Sequence, residues 1–424
     1  MIFMLEKINA LIWGNGLIVL LLLIGTMYTF RLKAIQFRMF PYLFKSFRNK
    51  EIRKKQFRTL CMSLGTAMGT GNITGVASAI AIGGAGAVFW MWISAFLGMA
   101  TVYAENSLSA RYSDERLKGP MAYLTKGTGC IKLASAFSFC CLLASFGMGG
   151  MVQINAMSES IKCCSRISPF YLSAIVFIVV VSIVCGGAKR IENAAKIFLP
   201  FATVFYVAVC IVVIYKTRSE LPNVFTRIFK EALGFEQCIG GISGYGIKRA
   251  VSVGIRRGVF SNEAGLGSSP ILHSSADNFK DDELQGMCAM FEVFIDTMIC
   301  CTITAITILS ASSDGTVQGA FSLISGHYSG HIIAILMIVF AFCTVIGWYY
   351  CGETAFLFLA PKGLRTVFSF VFSFVAALGA IIKAEKAWTI SDIFNGLMAF
   401  FNIIGLILLM NHVKGIKHSD TVNK

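Results

Sequence analysis

The sequence predicts an all-α polytopic membrane protein: eleven transmembrane helices, ten of them in two five-helix repeats of opposite orientation, behind an N-terminal accessory helix. Three observations predict it. Hydrophobic residues make up 56% of the 424 and charged ones 14%, and the mean hydropathy is +0.72, a balance foreign to soluble globular domains of this size. Apolar runs recur along the whole length, each long enough to cross about 30 Å of hydrocarbon at about 1.5 Å per residue. Two of these runs, separated by four others, are interrupted by glycines, as expected when a broken helix opens each of two inverted repeats.

The first run, 11–30, stands outside the repeats. No small-residue cleavage site follows it and a basic block does, so it reads as a retained helix and not a cleaved leader. With the basic loop after it, it forms the segment 1–59. The second run, 60–82, contains Gly65-Thr66-Ala67-Met68-Gly69-Thr70-Gly71-Asn72. Each interior Gly weakens a helix by roughly 1 kcal/mol relative to Ala, and the amide of Asn72 needs partners that hydrocarbon lacks. Such backbone survives at membrane depth where it is buried in protein or lines a cavity. Runs 86–109, 133–157, 169–188 and 197–215 are ordinary apolar helices that complete the first repeat, 60–215. The seventh run, 233–250, is the least apolar, with Gly240, Gly241 and Ile242 at its centre. It opens the second repeat, 216–412, continued by 287–310, 331–352, 366–382 and 393–412. Residues 413–424 form a tail.

The net charge of +15 could suggest nucleic acid, but the basic residues mark topology instead. Ten lie between Arg31 and Arg58, and none between Ala311 and Gly330. With the N-terminus outside and the C-terminus in the cytoplasm, the inner side holds about three times as many as the outer, as the positive-inside rule expects of a multi-pass cell-membrane protein. The 14 cysteines fall mostly inside apolar runs, where Cys behaves as a small hydrophobe, and neither they nor the five histidines are spaced as metal ligands. No constellation of nucleophile and base points to an enzyme, and no repeated filter loop to an ion channel.

A helix broken at mid-membrane presents N–H groups at one end and carbonyl oxygens at the other. The first suit a carboxylate and the second a small hard cation, so two facing broken helices fit a zwitterionic amino acid together with Na⁺.

The run from Gly69 to Ile73, continuing to Gly83, Gly84, Gly86, Trp90 and Trp92, resembles the signature of the alanine/glycine:cation symporter family. Further matches are Gly119-Pro120-Met121 with Tyr123, Gln153 with Asn155, the block from Arg257 to Ser268 with Pro270, Asp296-Thr297, and Ala341 to Trp348 followed by Tyr350, Gly352 and Glu353. The resemblance covers nearly the whole chain. It implies a leucine-transporter-like fold and import of a small neutral amino acid, alanine or glycine, coupled to Na⁺ by alternating access. It also implies that the chain functions as a monomer in the bilayer. Thr70, Gly71, Asn72, Gln153, Met157, Gly241, Ile242 and Trp348 would bind the amino acid, with Trp348 limiting side-chain size. Gly65, Met68, Cys343 and Thr344 would bind Na⁺.

Three positions depart from the family pattern. Cys343 stands where serine or threonine is expected, and a thiol is a poor ligand for a hard cation. This keeps an H⁺-coupled transporter open, beside a glutamine or other amino acid symporter. Ala85 replaces a proline and Ala122 an aromatic residue. Intramembrane acids are candidates for a cation path: Glu292 and Asp296 lie four apart on one face, while Glu105, Glu263 and Glu353 read as acids held by Arg256, Arg257 or backbone donors.

Overall fold

The computed structural model describes residues 2–50, 52–53, 60, 63–64, 66–185, 188–234, 243–274, 281–312 and 314–415. Among these the regular secondary structure is helical throughout. The principal helices among the described residues are α1 (Met4–Arg31), α2 (Thr74–Gly83), α3 (Gly86–Tyr112), α4 (Ile131–Lys162), α5 (Pro169–Cys185), α6 (Ala188–Lys216), α7 (Leu221–Leu233), α8 (Ser243–Asn262), α9 (Asp282–Ala311), α10 (Ser329–Leu359), α11 (Arg365–Leu378) and α12 (Ala384–Leu408).

Six described helical stretches are long and apolar enough to cross a membrane: α1, α3, α4, α9, α12 and the stretch Val317–Leu359 that contains α10. A seventh arises if Pro200–Lys216 and Arg218–Leu233, bent by 74°, count as one. The remaining expected runs fall on shorter or interrupted helices. α5 and α11 are short apolar helices, and the 60–82 run is continuous only over α2. Of the seventh run, residues 235–242 lie outside the described residues.

The surface is apolar at many points. Leu11, Phe30, Phe170, Tyr171, Ile178, Phe201 and Val204 are exposed, which is unfavourable in water and suits a hydrocarbon surround. The interior is instead polar at selected points: Asn72, Glu105, Gln153, Glu263, Glu292 and Asp296 are all buried. α1 is tied in by directional bonds. Trp13 Nε1 donates to the Asp392 carbonyl and Tyr28 Oη to the Leu406 carbonyl, each at 2.7 Å.

Two of the long helices change pitch where polar residues face inward. α4 widens to a π-helical turn over Ser145–Met151, just before Gln153, and α9 does so over Phe294–Cys301, which contains Asp296. A π turn shifts the register of the following side chains and is frequent at functional sites. Glycines in the α4 turn permit close approach, as expected of small residues at membrane helix contacts. A Cβ on Gly149 would collide with Trp348, and one on Gly150 would lie 3.2 Å from Ala376 Cβ.

Candidate functional site

The octapeptide is a break in a helix. Thr66 and Ala67 are helical, Met68 and Gly69 bend, Thr70–Asn72 form one 3₁₀ turn, and α2 starts at Thr74. Its backbone is held from outside. Gln153 Oε1 accepts from the Thr70 N–H at 3.2 Å and from Thr70 Oγ1 at 2.8 Å, while Gln153 Nε2 donates to the Met148 carbonyl at 3.0 Å. Asn72 Nδ2 donates to Asp296 Oδ1 at 2.6 Å, and Asp296 Oδ2 accepts from Ser261 Oγ at 2.7 Å and Thr297 Oγ1 at 2.8 Å.

Two oxygens at this break have no partner among the described residues: Asn72 Oδ1 and Thr344 Oγ1 are both buried. A Cβ on Gly69 would collide with Thr344 Oγ1 and lie 3.1 Å from Gln153 Oε1, so the lack of a side chain lets these groups close on the backbone. Gly347, one turn beyond Cys343, packs equally tightly against the Thr66 side chain. A buried polar atom without a partner costs about 1–3 kcal/mol, so two at one break mark a place for a ligand or water.

The expected residues are divided between the break and its surroundings. Thr70, Gly71, Asn72, Gln153 and Thr344 border the break. Trp348 is fully buried, with Nε1 donating to Glu263 Oε1 at 2.9 Å. Met157 lies in an apolar cluster with Ile154, Ala341 and Val345. Met68 is buried, and Cys343 sits in an apolar cluster with Ile73, Val76 and Phe340. Gly65, Gly241 and Ile242 lie outside the described residues. For a hard cation, the donor chemistry fits at the Thr344 hydroxyl and fails at the Cys343 thiol. No group of three or more His, Cys, Asp or Glu side chains among the described residues could hold a metal ion.

A further break stands outside every apolar run, where the sequence predicts none. α8 ends at Asn262, helix resumes only at Ser269, and between them Glu263, Gly265 and Gly267 have φ of +58°, +86° and +80°. Left-handed backbone at three of six positions ends a helix decisively. The segment binds itself: Asn262 Oδ1 accepts from the Ala264 N–H at 3.0 Å, and Glu263 Oε2 accepts from Ser268 Oγ. It adjoins the first break, since a Cβ on Gly71 would touch the Phe260 ring at 3.3 Å. The signal that could have found it is the pair of glycines in Asn262-Glu263-Ala264-Gly265-Leu266-Gly267.

The arginines also differ from expectation. Among the described residues Arg256 and Arg257 do not hold Glu105, Glu263 or Glu353; both reach Asp392 of α12, at 3.6 and 3.4 Å. Arg257 lies 4.0 Å from the Trp388 ring centroid, and that ring is 4.5 Å from Phe260. Glu353 is gripped by Arg365 through Nε at 2.6 Å and Nη2 at 3.1 Å. Glu105 Oε1 accepts from Asn402 Nδ2, and the same amide nitrogen donates to the Gly265 carbonyl at 2.9 Å.

A model of the sodium:alanine symporter family matches residues 1–420. The sodium/alanine symporter AgcS of Methanococcus maripaludis is 36% identical over 98% of this chain and 95% of its own. The "Probable sodium/glutamine symporter GlnT" of Bacillus subtilis is 36% identical over 95% of this chain and 87% of its own. The amino-acid carrier protein AlsT of the same organism is 33% identical over 94% and 88%. The chain therefore belongs to the sodium:alanine symporter family, whose members are multi-pass membrane transporters and not enzymes.

Proposed function

We propose that this protein imports a small neutral amino acid, alanine or glycine, with Na⁺ by alternating access around the break at 68–73 and the interrupted seventh run. The observation that carries the reading is the pair of buried oxygens without partners at the first break, Asn72 Oδ1 and Thr344 Oγ1. An ammonium group and a small cation are the species such oxygens suit, and the N–H groups of the following helix suit the carboxylate. In this reading Thr70, Gly71, Asn72 and Gln153 contact the amino acid, Trp348 and Met157 bound its side chain, and Gly241 with Ile242 contribute from the second repeat. Na⁺ binds at Thr344 with the carbonyls of Gly65 and Met68.

The reading includes the full topology: eleven spans, repeats over 60–215 and 216–412, and an N-terminus outside the cell membrane. Uptake of labelled alanine into proteoliposomes under an imposed Na⁺ gradient tests the function. Accumulation that ignores the gradient would sink it. Cys343 favours a second reading, H⁺ as the coupling ion, and a pH gradient imposed in place of Na⁺ separates the two. Adding glutamine as competitor tests whether the pocket takes a larger side chain, as the name of one relative suggests.

A further inference from the structure

Beside the first break, on the side of Ser63, lies a buried cavity lined by Ser63, Asn262, Glu263, Ser269, Glu292 and Asp296, with room for about one water molecule. Three carboxyl groups share it. Each is bonded to neutral donors: Asp296 to Asn72, Ser261 and Thr297, Glu263 to Trp348 and Ser268, and Glu292 Oε2 to Ser63. The basic partner is His273, whose Nε2 lies 2.9 Å from Glu292 Oε1 and whose Nδ1 lies 2.8 Å from Gln285 Oε1. The other titratable groups facing the cluster are the Glu105 carboxyl and the thiols of Cys141, Cys288, Cys300, Cys301 and Cys351. Among the described residues no Lys or Arg pairs with any of the three acids.

Three like charges around one buried cavity, with a single imidazole to offset them, need a further cation. Asn262 decides which. Its Oδ1 is committed to the Ala264 N–H, which fixes the amide orientation, and its Nδ2 is buried without a partner among the described residues. The wall therefore offers one free donor among carboxyl acceptors. A bare metal ion leaves that donor unsatisfied. A water molecule accepts from Asn262 and donates to the carboxyls, and it can pass a proton among them.

We propose that this cavity is a proton-binding site, separate from the Na⁺ position at Thr344, in which Glu263, Glu292 and Asp296 share one proton through a water held by Asn262. Loading forms one carboxyl O–H bond from a carboxylate and a solvent proton, and raises the charge of the cluster by one. The cluster touches the first break at two points, Ser63 ahead of it and Asn72 within it. A protonated carboxyl has fewer acceptor sites, so loading weakens its hold on Ser63 or Asn72 and shifts the broken helix. The site stands independently of the amino acid proposed above; only its effect on uptake rests on that reading.

Infrared difference spectra of the full-length protein in nanodiscs, taken between about pH 5 and pH 9, read the site without any substrate. A protonated-carboxyl C=O band that titrates reversibly, persists in Na⁺ and is lost in Glu292→Gln supports the proposal. Displacement of the band by Na⁺ at constant pH, or its survival in Glu263→Gln, Glu292→Gln and Asp296→Asn alike, overturns it. Should Glu292→Gln fail to fold, Ser63→Ala keeps all three acids and is expected to shift the band; an unshifted band in that variant overturns the proposal. In proteoliposomes, Glu292→Gln is expected to lose the pH dependence of alanine uptake. If wild type transports no amino acid while the band behaves as expected, the functional reading fails and the site stands.

Discussion

The breaks at 68–73 and 263–268 adjoin each other and are built on opposite plans. Residues 68–73 keep negative φ and borrow partners from distant helices, Gln153 of α4 and Asp296 of α9, while Thr344 of α10 packs closely against Gly69. Residues 263–268 are wound left-handed at three positions; they bond among themselves through Asn262–Ala264 and Glu263–Ser268, and beyond these to Trp348 of α10 and Asn402 of α12. The first leaves two oxygens free and the second leaves one donor, Asn262 Nδ2. A break held from outside can exchange a protein partner for a ligand at small cost in backbone energy. The second is set by backbone conformation: two of its three left-handed positions are glycines, which adopt it freely, so the bend holds without a ligand, and only Glu263 bears the roughly 1–2 kcal/mol cost of an L-residue there. The first thus has the character of a binding point and the second that of a fixed bend.

The largest expected loss of affinity separates these roles. Asn72→Ala removes the free acceptor and the bond to Asp296, and should lower amino acid affinity by about tenfold to a hundredfold, equivalent to roughly 1–3 kcal/mol. Equilibrium binding to the purified variant reads this, and an unchanged affinity would take Asn72 out of the site.

Adding one methyl to each break sharpens the contrast. Gly69→Ala drives a Cβ against Thr344 Oγ1 and should abolish uptake while the variant still migrates as a folded species on size exclusion. Gly267→Ala puts a Cβ 2.7 Å from the Pro120 ring, at a φ of +80°. It should lower stability by about 1–3 kcal/mol in thermal melts while folded protein keeps its affinity. Equal affinity losses in both variants would erase the distinction between the two breaks.

The smallest effect lies outside the long apolar helices. Asp114 follows α3, accepts from the Arg116 and Leu117 N–H groups at 2.7 Å, and meets Lys126 Nζ at 2.5 Å. Chiefly through the Lys126 bond, its carboxyl is lowered to about 2. A depressed carboxylate adds stability above the unfolded value of about 3.9, and that contribution is lost as pH falls through the folded value. Because the group is exposed, Asp114→Asn should cost little near neutrality, and its melting temperature should converge with wild type as pH approaches about 2. A constant gap across that window would contradict the assignment.

How much is legible in the sequence depends on the range of the interaction. The first break can be read from Gly65 to Asn72 because glycines and an amide inside an apolar run are a local anomaly. The close packing of Gly149 and Gly150 is legible on the same ground. The bend at Glu263, Gly265 and Gly267 is not, because it follows a helix with buried Arg257 and has no apolar background against which its glycines stand out. The partner of the arginines is hidden for a related reason. Asp392 is 135 positions from Arg257, and no spacing rule spans that separation.

By itself the sequence determined that this chain is a multi-pass helical membrane protein, that one of its helices is broken within 65–72, and which family it resembles. Those follow from composition and local pattern, which act through the hydrophobic effect and backbone sterics within a few residues. Tertiary structure alone decided that Gln153 and Asp296 hold the break, that Arg256 and Arg257 reach Asp392, and that Glu263 joins Glu292 and Asp296 in one cavity. Thr70 and Gln153 lie 83 positions apart, and Asn72 and Asp296 lie 224 apart. Only packing in three dimensions can bring such groups together, and only burial away from water makes their hydrogen bonds and charges decisive.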